Sequence, residues 1–307
     1  MTLFKILWFC VLMVCHIGWT AILYVPKDYP TIQGAIDAAQ VGDTVLVAPG
    51  KYRGEITLRN GVTLQGFGDV TQISETLKLE AVEEVTLSSL QVKGTGQDSH
   101  FGIFCLNATA RIHDVTVSAF HHGISAESSR LTVRKTKVSE SFNVGILISQ
   151  NTEATIEESE MIDNATGIII GNTWRAVTLR RNRIERNQTG IDCHDANPRL
   201  RENTLIGNFV GVQVDNALPD LGTEADPGKN VFLNNKQAAI QYAGRQPMLA
   251  LLNWWGQATG PLVGQVVGQV LVKPWLRTDP RDALAVQRRS VMNRTPAVWG
   301  ALKRNES

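Results

Sequence analysis

The sequence predicts an all-β solenoid, a stack of short coils built from parallel strands, and three observations carry that expectation. The first is a glycine followed by a β-branched residue that returns through the middle of the chain: Gly102-Ile103, Gly123-Ile124, Gly145-Ile146, Gly167-Ile168, Gly190-Ile191 and Gly211-Val212. The successive gaps are 21, 22, 22, 23 and 21 residues, too short for a unit that buries its own apolar face, so neighbouring units must stack and share one core. The second is a period of two inside each unit, as in Gly123-Ile-Ser-Ala126 and Arg130-Leu-Thr-Val133, which predicts three short strands rather than a helix pair. The third is that residues of equal phase have equal character.

Aligned on the glycines, three apolar files point inward: Ile103, Ile124, Ile146, Ile168, Ile191 and Val212; then Val133, Ile156, Leu179 and Leu200; then Val138, Met161, Ile184 and Leu205. Three parallel sheets around one core are expected. Polar files mark the corners. Thr136, Ser159, Asn182, Asn203 and Asn230 lie between the second and third strands, and Ser141, Asn164, Asn187, Asn208 and Asn235 follow five residues later. Asparagine tolerates left-handed backbone, and stacked amides bond from one coil to the next, so both files read as ladders. Charges keep the same register: Arg134-Lys135, Glu157-Glu158, Arg180-Arg181 and Arg201-Glu202 alternate in sign from coil to coil. At the strand spacing of about 4.8 Å this places opposite charges side by side, a structural ladder rather than a ligand site.

These repeats resemble the right-handed parallel β-helix, or pectin-lyase-like, superfamily in its bacterial secreted form with short Asn-rich coils, over roughly Val25 to Leu276. The opening segment Tyr29-Pro-Thr-Ile-Gln-Gly-Ala-Ile-Asp-Ala-Ala39 resembles the start of secreted β-helix proteins and of pectin methylesterases. The resemblance implies a short capping helix near Thr31 to Ala39 that closes the open end of the coil, where an unpaired strand edge would otherwise stand free. At the far end Asn253-Trp-Trp-Gly-Gln-Ala-Thr-Gly-Pro261 and Val272-Lys-Pro-Trp-Leu276 resemble the closing motif of the same proteins, so the paired indoles are expected to close the core rather than bind sugar. Pro219 to Gly228 reads as a polar loop inserted at one bend.

Three segments are expected. Residues 1–21 form a signal peptide or an uncleaved N-terminal anchor, since Ile6 to Leu23 is almost wholly apolar behind Lys5. Residues 22–276 form the solenoid, and 277–307 a basic, flexible tail or short helix near Asp282 to Arg289, with seven Lys/Arg against three Asp/Glu. An extracytoplasmic location follows, periplasmic or secreted, with membrane attachment only through the leader. A net charge of +1 over 307 residues gives no nucleic-acid footprint. A monomer is expected. Cys105 and Cys193 each fall three residues past a repeat glycine, hence inward, and four coils at about 4.8 Å put them about 19 Å apart, beyond disulfide reach.

Chemistry in this superfamily lies on an outer face of the stack. The outward positions of the first strands are Ser125/Glu127, Leu147/Ser149, Ile169/Gly171, Asp192/His194 and Gln213/Asp215. Asp192 and His194 share a face, Gly171 leaves His194 room, and Asp215 is able to offer it a carboxylate. The run Gly190-Ile-Asp-Cys-His-Asp195 resembles the Asp-Pro-His-Asp motif of mannuronan C5-epimerases, with Cys193 in place of the proline. That resemblance implies Asp192, His194 and Asp195 as catalytic candidates; Gln213 and Asp215 on the same outer face, and Arg175 or Arg199 at the bends flanking the first strand, are the substrate-binding ones by position. Removing a proton beside a sugar carboxylate needs a base, a proton donor and a group that neutralises the acid. His194 is suited to the first role and Asp192 to orienting or sharing a proton.

No cofactor is expected. His121-His122 with His100 or His113 has no spacing of a preformed metal site and reads as bend histidines. The paired aspartates and Gly-His-Gly of polygalacturonases are absent, as is the Gly-x-x-Asp-Phe segment of pectin methylesterases. Two function classes remain: a module that binds or processes an anionic polysaccharide by lyase or C5-epimerase chemistry, and a non-catalytic extracytoplasmic scaffold, interaction or metal-centre maturation factor. An outward apolar stripe, Phe104, Leu147 and Ile169, is expected to be covered by a partner, a glycan or the tail through Ala283 to Val286.

Overall fold

Every strand pairs in parallel with the equivalent strand one coil away. The register is the one the glycine spacing demands, with Ile103, Ile124, Ile146, Ile168, Ile191, Val212 and Ile240 in line across face one. The structure, a computed structural model, describes residues 20–96 and 98–282. Residues 1–19, most of the expected signal peptide or anchor at 1–21, and Ala283 onward, including Ala283 to Val286 and most of the expected tail helix, lie outside the described residues.

Face one is a sheet of ten strands, among them Phe101–Leu106, His122–Glu127, Val144–Ser149, Thr166–Thr173, Thr189–Ala196 and Val210–Asp215. Faces two and three differ from the expected pair of separate sheets. Strands such as Thr63–Ile73, Val85–Lys93 and Thr109–Ser118 run through the second bend without a break, so hydrogen bonding joins both faces into one sheet of fifteen strands. A two-stranded sheet, Met248–Leu249 with Val270–Leu271, finishes the stack. The three predicted inward files are solvent-free: Ile124, Ile146, Ile168, Ile191, Val133, Ile156, Leu179, Val138, Met161 and Ile184 are each 0% exposed. At about 2–3 kcal/mol for each fully buried aliphatic side chain, these files dominate the stability of the stack.

The polar files form hydrogen-bonded ladders. Asn203 Nδ2 donates to Leu179 O of the coil below (2.8 Å) and to Asn230 Oδ1 of the coil above (3.1 Å), while its Oδ1 accepts from Asn182 N and Nδ2 (3.1 and 3.0 Å). Each such amide therefore ties three coils together, and the file continues into Asn253. The third-bend file repeats the pattern from Ser141 through Asn164, Asn187 and Asn208 to Asn235.

The expectation that these asparagines adopt left-handed backbone is corrected. The left-handed residue is the one before each of them: Glu158, Arg181, Glu202 and Lys229 at the second bend, and Asp163, Arg186, Gly207 and Asn234 at the third. Asn107, Ser128, Asn172, Asp195 and Asn216 do the same at the first bend, all within φ 45° to 64°. A left-handed residue turns the chain at each of these corners, two in a row (Gln150 and Asn151) at the first bend after Val144–Ser149, and at the second and third bends the ladder residue that follows points inward as a consequence.

The repeat glycines answer to sterics instead. None has a positive φ, but a Cβ on Gly145, Gly167 or Gly190 would lie 2.5–2.6 Å from the carbonyl oxygen of the equivalent glycine one coil on. The charge ladder forms as expected, with Glu158 accepting from Arg134 (3.3 Å) and Glu202 from Arg180 and Arg181 (3.2 and 2.7 Å).

The short helix Ile32–Ala38 follows the first strand, Ile22–Val25. Thr31 caps it by accepting from Gly34 N, and Ile32, Ala35 and Ile36 are buried. At the other end Trp255 is 2% exposed and stacks on Phe232 at 4.8 Å, so this indole belongs to the core. Leu276 and the tail residues Thr278, Pro280 and Arg281 share a groove with Arg181, Glu202, Lys229 and Val231 at the second bend. That is away from the apolar stripe on face one.

Candidate functional site

Asp192 and His194 sit in the strand Thr189–Ala196, where alternation sends Ile191 and Cys193 inward and these two residues outward. Pairing places Asp192 between Ile169 and Gln213, and His194 between Gly171 and Asp215. Gly171 provides space for the imidazole, for a Cβ there would lie 2.1 Å from His194 Nε2. The ring thus lies across the neighbouring strand instead of standing into solvent. Burial pushes the Asp192 carboxyl above the ordinary aspartate range; His194 opposes that shift and Asp215 adds to it. The cluster joins an imidazole, a carboxyl that holds its proton unusually well, and a second, exposed carboxylate.

The other candidates are distributed around this pair. Gln213 and Asp215 stand one coil above it on the same face. Asp195 turns away: it is the left-handed residue of the first bend, φ 50°, and its carboxylate accepts from Asn216 one coil on. Arg199 lies beyond that bend on face two, where its guanidinium binds Asp226 at 2.5 Å. The partner belongs to the inserted loop, which Arg201, 5% exposed, also holds through Asp220 and Asp226. Arg175 follows the buried Thr173 at the first bend and has no carboxylate within salt-bridge distance among the described residues.

Below the pair, Ile169, Leu147 and Phe104 are half-buried, and Ser125 between the last two is fully covered, its Oγ without a hydrogen-bond partner. His100, His121 and His122 cluster where the chain enters face one, with His121 ring centroids 6.3 Å from His100 and 4.7 Å from His122. Burial, then the charges of His121 and His100, lower the His122 pKa. Among the described residues no group of three or more His, Cys, Asp or Glu is arranged to hold a metal ion.

One residue escaped the sequence reading. Trp174 is 84% exposed at the first bend. Its signal was the 23-residue gap between Gly167 and Gly190, the longest of the five. Thr173 pairs with Ala196 and Leu179 with Leu200, so six residue steps on one coil match four on the next (179 − 173 against 200 − 196). The two surplus residues bulge outward with Trp174 and Arg175 on them.

Residues 101–253 match the family model for the right handed beta helix region. No curated protein matches the chain. Among solved structures, a pectate lyase is 14% identical, with 86% of this chain and 82% of that one covered at a TM-score of 0.57. The pectin methylesterase of Aspergillus niger is also 14% identical, covering 75% and 88% at 0.51. A mannuronan C-5 epimerase module from Azotobacter vinelandii is 17% identical, covering 80% and 94% at 0.47. At such identities the likeness is one of fold. With its coils in parallel register, the segment from Phe101 to Asn253 belongs to the right handed beta helix family, and the fold of the chain is a right-handed parallel β-helix.

Proposed function

We propose that this chain is an exported protein that binds an acidic polysaccharide and processes it by abstracting a proton beside a sugar carboxylate, as a lyase or C5-epimerase does. The observation that carries the reading is the seating of His194 over Gly171 beside a carboxyl whose pKa is raised. In the proposed step the His194 imidazole takes the C5 proton, and the electron pair moves toward the substrate carboxylate. A proton is then returned either to the opposite face of C5, which inverts the centre, or to the departing glycosidic oxygen, which breaks the chain, with Asp192 as the proposed donor. Gln213 and Asp215 flank the sugar, and Arg175, around the first bend, is a cation for an acid group elsewhere on the same glycan; Arg199, held by Asp226, steadies the inserted loop instead. The helix Ile32–Ala38 serves as a cap, its buried Ile32 and Ile36 covering the first coil.

The test is incubation of the purified chain with alginate, pectate and glycosaminoglycans, following absorbance of unsaturated uronates and release of label from C5. Activity lost in His194→Ala and Asp192→Asn supports the reading. Silence on all three polymers sinks it and favours a non-catalytic scaffold.

A further inference from the structure

A tryptophan side chain that is 84% exposed leaves its whole apolar face in water, and this one stands on a two-residue bulge that the coil does not need. Removing the bulge would restore the four-step corner of the next coil. Corner closure uses the buried Thr173, which donates from Oγ1 to Thr152 O, and the backbone N–H of Arg175, which donates to Thr173 Oγ1, so neither side chain of the bulge takes part in it. The side chains of Trp174 and Arg175 are therefore surplus to folding. They lie on the coil of Gly171, around the corner from the His194 imidazole that rests on it.

From Arg175 a groove follows the first bend down the stack, lined by Asn107, Ser128, Arg130, Asn151 and Glu153. Its lining is amide, hydroxyl and charge, the groups that bond sugar hydroxyls. Asn151, on this lining, has an Oδ1 that is shielded from solvent and has no hydrogen-bond partner among the described residues. Of the three arginines along this bend, Arg130 binds Glu153 and Arg199 binds Asp226, whereas Arg175 has no carboxylate partner among the described residues.

We propose that Trp174 and Arg175 form a binding site for an acidic pyranose, the indole stacking on the apolar face of the ring and the guanidinium pairing with its carboxylate, with the rest of the glycan chain lying in the first-bend groove. An exposed indole offers a flat apolar surface with little conformational freedom to lose, and a planar guanidinium matches a carboxylate in bidentate fashion. The site rests on the acidic-polysaccharide part of the function proposed above and is independent of its chemistry.

The experiment titrates the full-length chain with oligomers of alginate and pectate and with their carboxyl-reduced neutral counterparts, following binding by calorimetry. Trp174→Ala is expected to weaken binding of the acidic oligomers by about tenfold or more, and Trp174→Phe to retain most of it. Arg175→Gln is expected to weaken the acidic oligomers by about tenfold and leave the reduced ones within about twofold. A His194→Ala arm separates the two proposals: it retains binding if this site is right, whatever happens to turnover. Unchanged affinity in both Trp174→Ala and Arg175→Gln overturns the proposal, and so does absence of binding to every acidic oligomer at millimolar concentration.

Discussion

The imidazole of His194 occupies the volume that a side chain on Gly171 would need, with Nε2 2.1 Å from the position of that missing Cβ. Gly171 has no positive φ, so an alanine there is free of backbone strain, and the atoms it displaces are the far end of a flexible ring. Gly171→Ala should fold normally, with a melting temperature within about 2 °C of the parent, and should still move His194 off its seat. Turnover of whichever polymer is processed is expected to fall by about tenfold to a hundredfold, since a misplacement near 1 Å has that effect on a reacting group. A full-rate Gly171→Ala enzyme would mean that the seat is irrelevant to catalysis.

Asp192 should leave a signature in the pH dependence of stability. Its native pKa is raised above the unfolded one, chiefly by burial, so ionising it disfavours the folded state. That cost is absent below the ordinary aspartate range and fully present above the raised native value. Asp192→Asn is therefore expected to raise the melting temperature at pH 7 and to change it little at pH 3. Scanning calorimetry of both forms at the two pH values checks this; an equal shift at both would show that ionisation is not the cause.

Asn203 is the strongest test of the ladders. It is 0% exposed and its amide joins Leu179, Asn182 and Asn230. Asn203→Ala strands the Asn182 donors and the Leu179 carbonyl in the interior, at about 1–3 kcal/mol for each group left unpaired. A loss of at least about 3 kcal/mol in urea unfolding is expected. Exposed Asn197, whose Oδ1 accepts a single bond from Leu218 N, should lose less than about 1 kcal/mol as alanine.

The inserted loop depends on Asp226. Hydrogen bonds from Arg201 first and Arg199 second hold its carboxyl down to about 2. A depressed carboxylate contributes fully above the unfolded pKa, and the contribution disappears as pH falls toward the native value. Asp226→Asn should cost about 1–2 kcal/mol at pH 7, a modest figure because water reaches Asp226 while Arg201 is buried and keeps Asp220. The gap between mutant and parent should close near pH 2, and protease cutting at Pro219 to Gly228 should rise in the mutant. A gap that persists at pH 2 would assign the effect to packing.

The columns of the stack were legible because a coil repeats its phase: once Gly145 is placed over Gly167, Ile146 over Ile168 and Asn164 over Asn187 follow without further information. The pairing of Asp192 with Gln213 and of His194 with Gly171 and Asp215 came from the same bookkeeping. What was hidden was set by tertiary structure. Left-handed corners fell on Arg181, Glu158 and Glu202, residues with no preference for that conformation, because the closure of the coil imposes it on whatever side chain occupies the corner. Arg199 found Asp226 in a loop with no counterpart in other coils, so no repeat alignment reveals the pair. Trp174 likewise occurs once, and a single residue without a column has no register to be read from.

Cys105 and Cys193 are each 0% exposed and free, four coils apart in the file of face one. Burial pushes the Cys105 thiol up to about 12 and raises Cys193 as well. Neither is a thiolate at neutral pH, so alkylating reagents reach them only when a coil opens. The two sulfurs are thus built-in clocks at separate heights of the tower, and the order in which they are labelled in mild denaturant tells from which end it unravels.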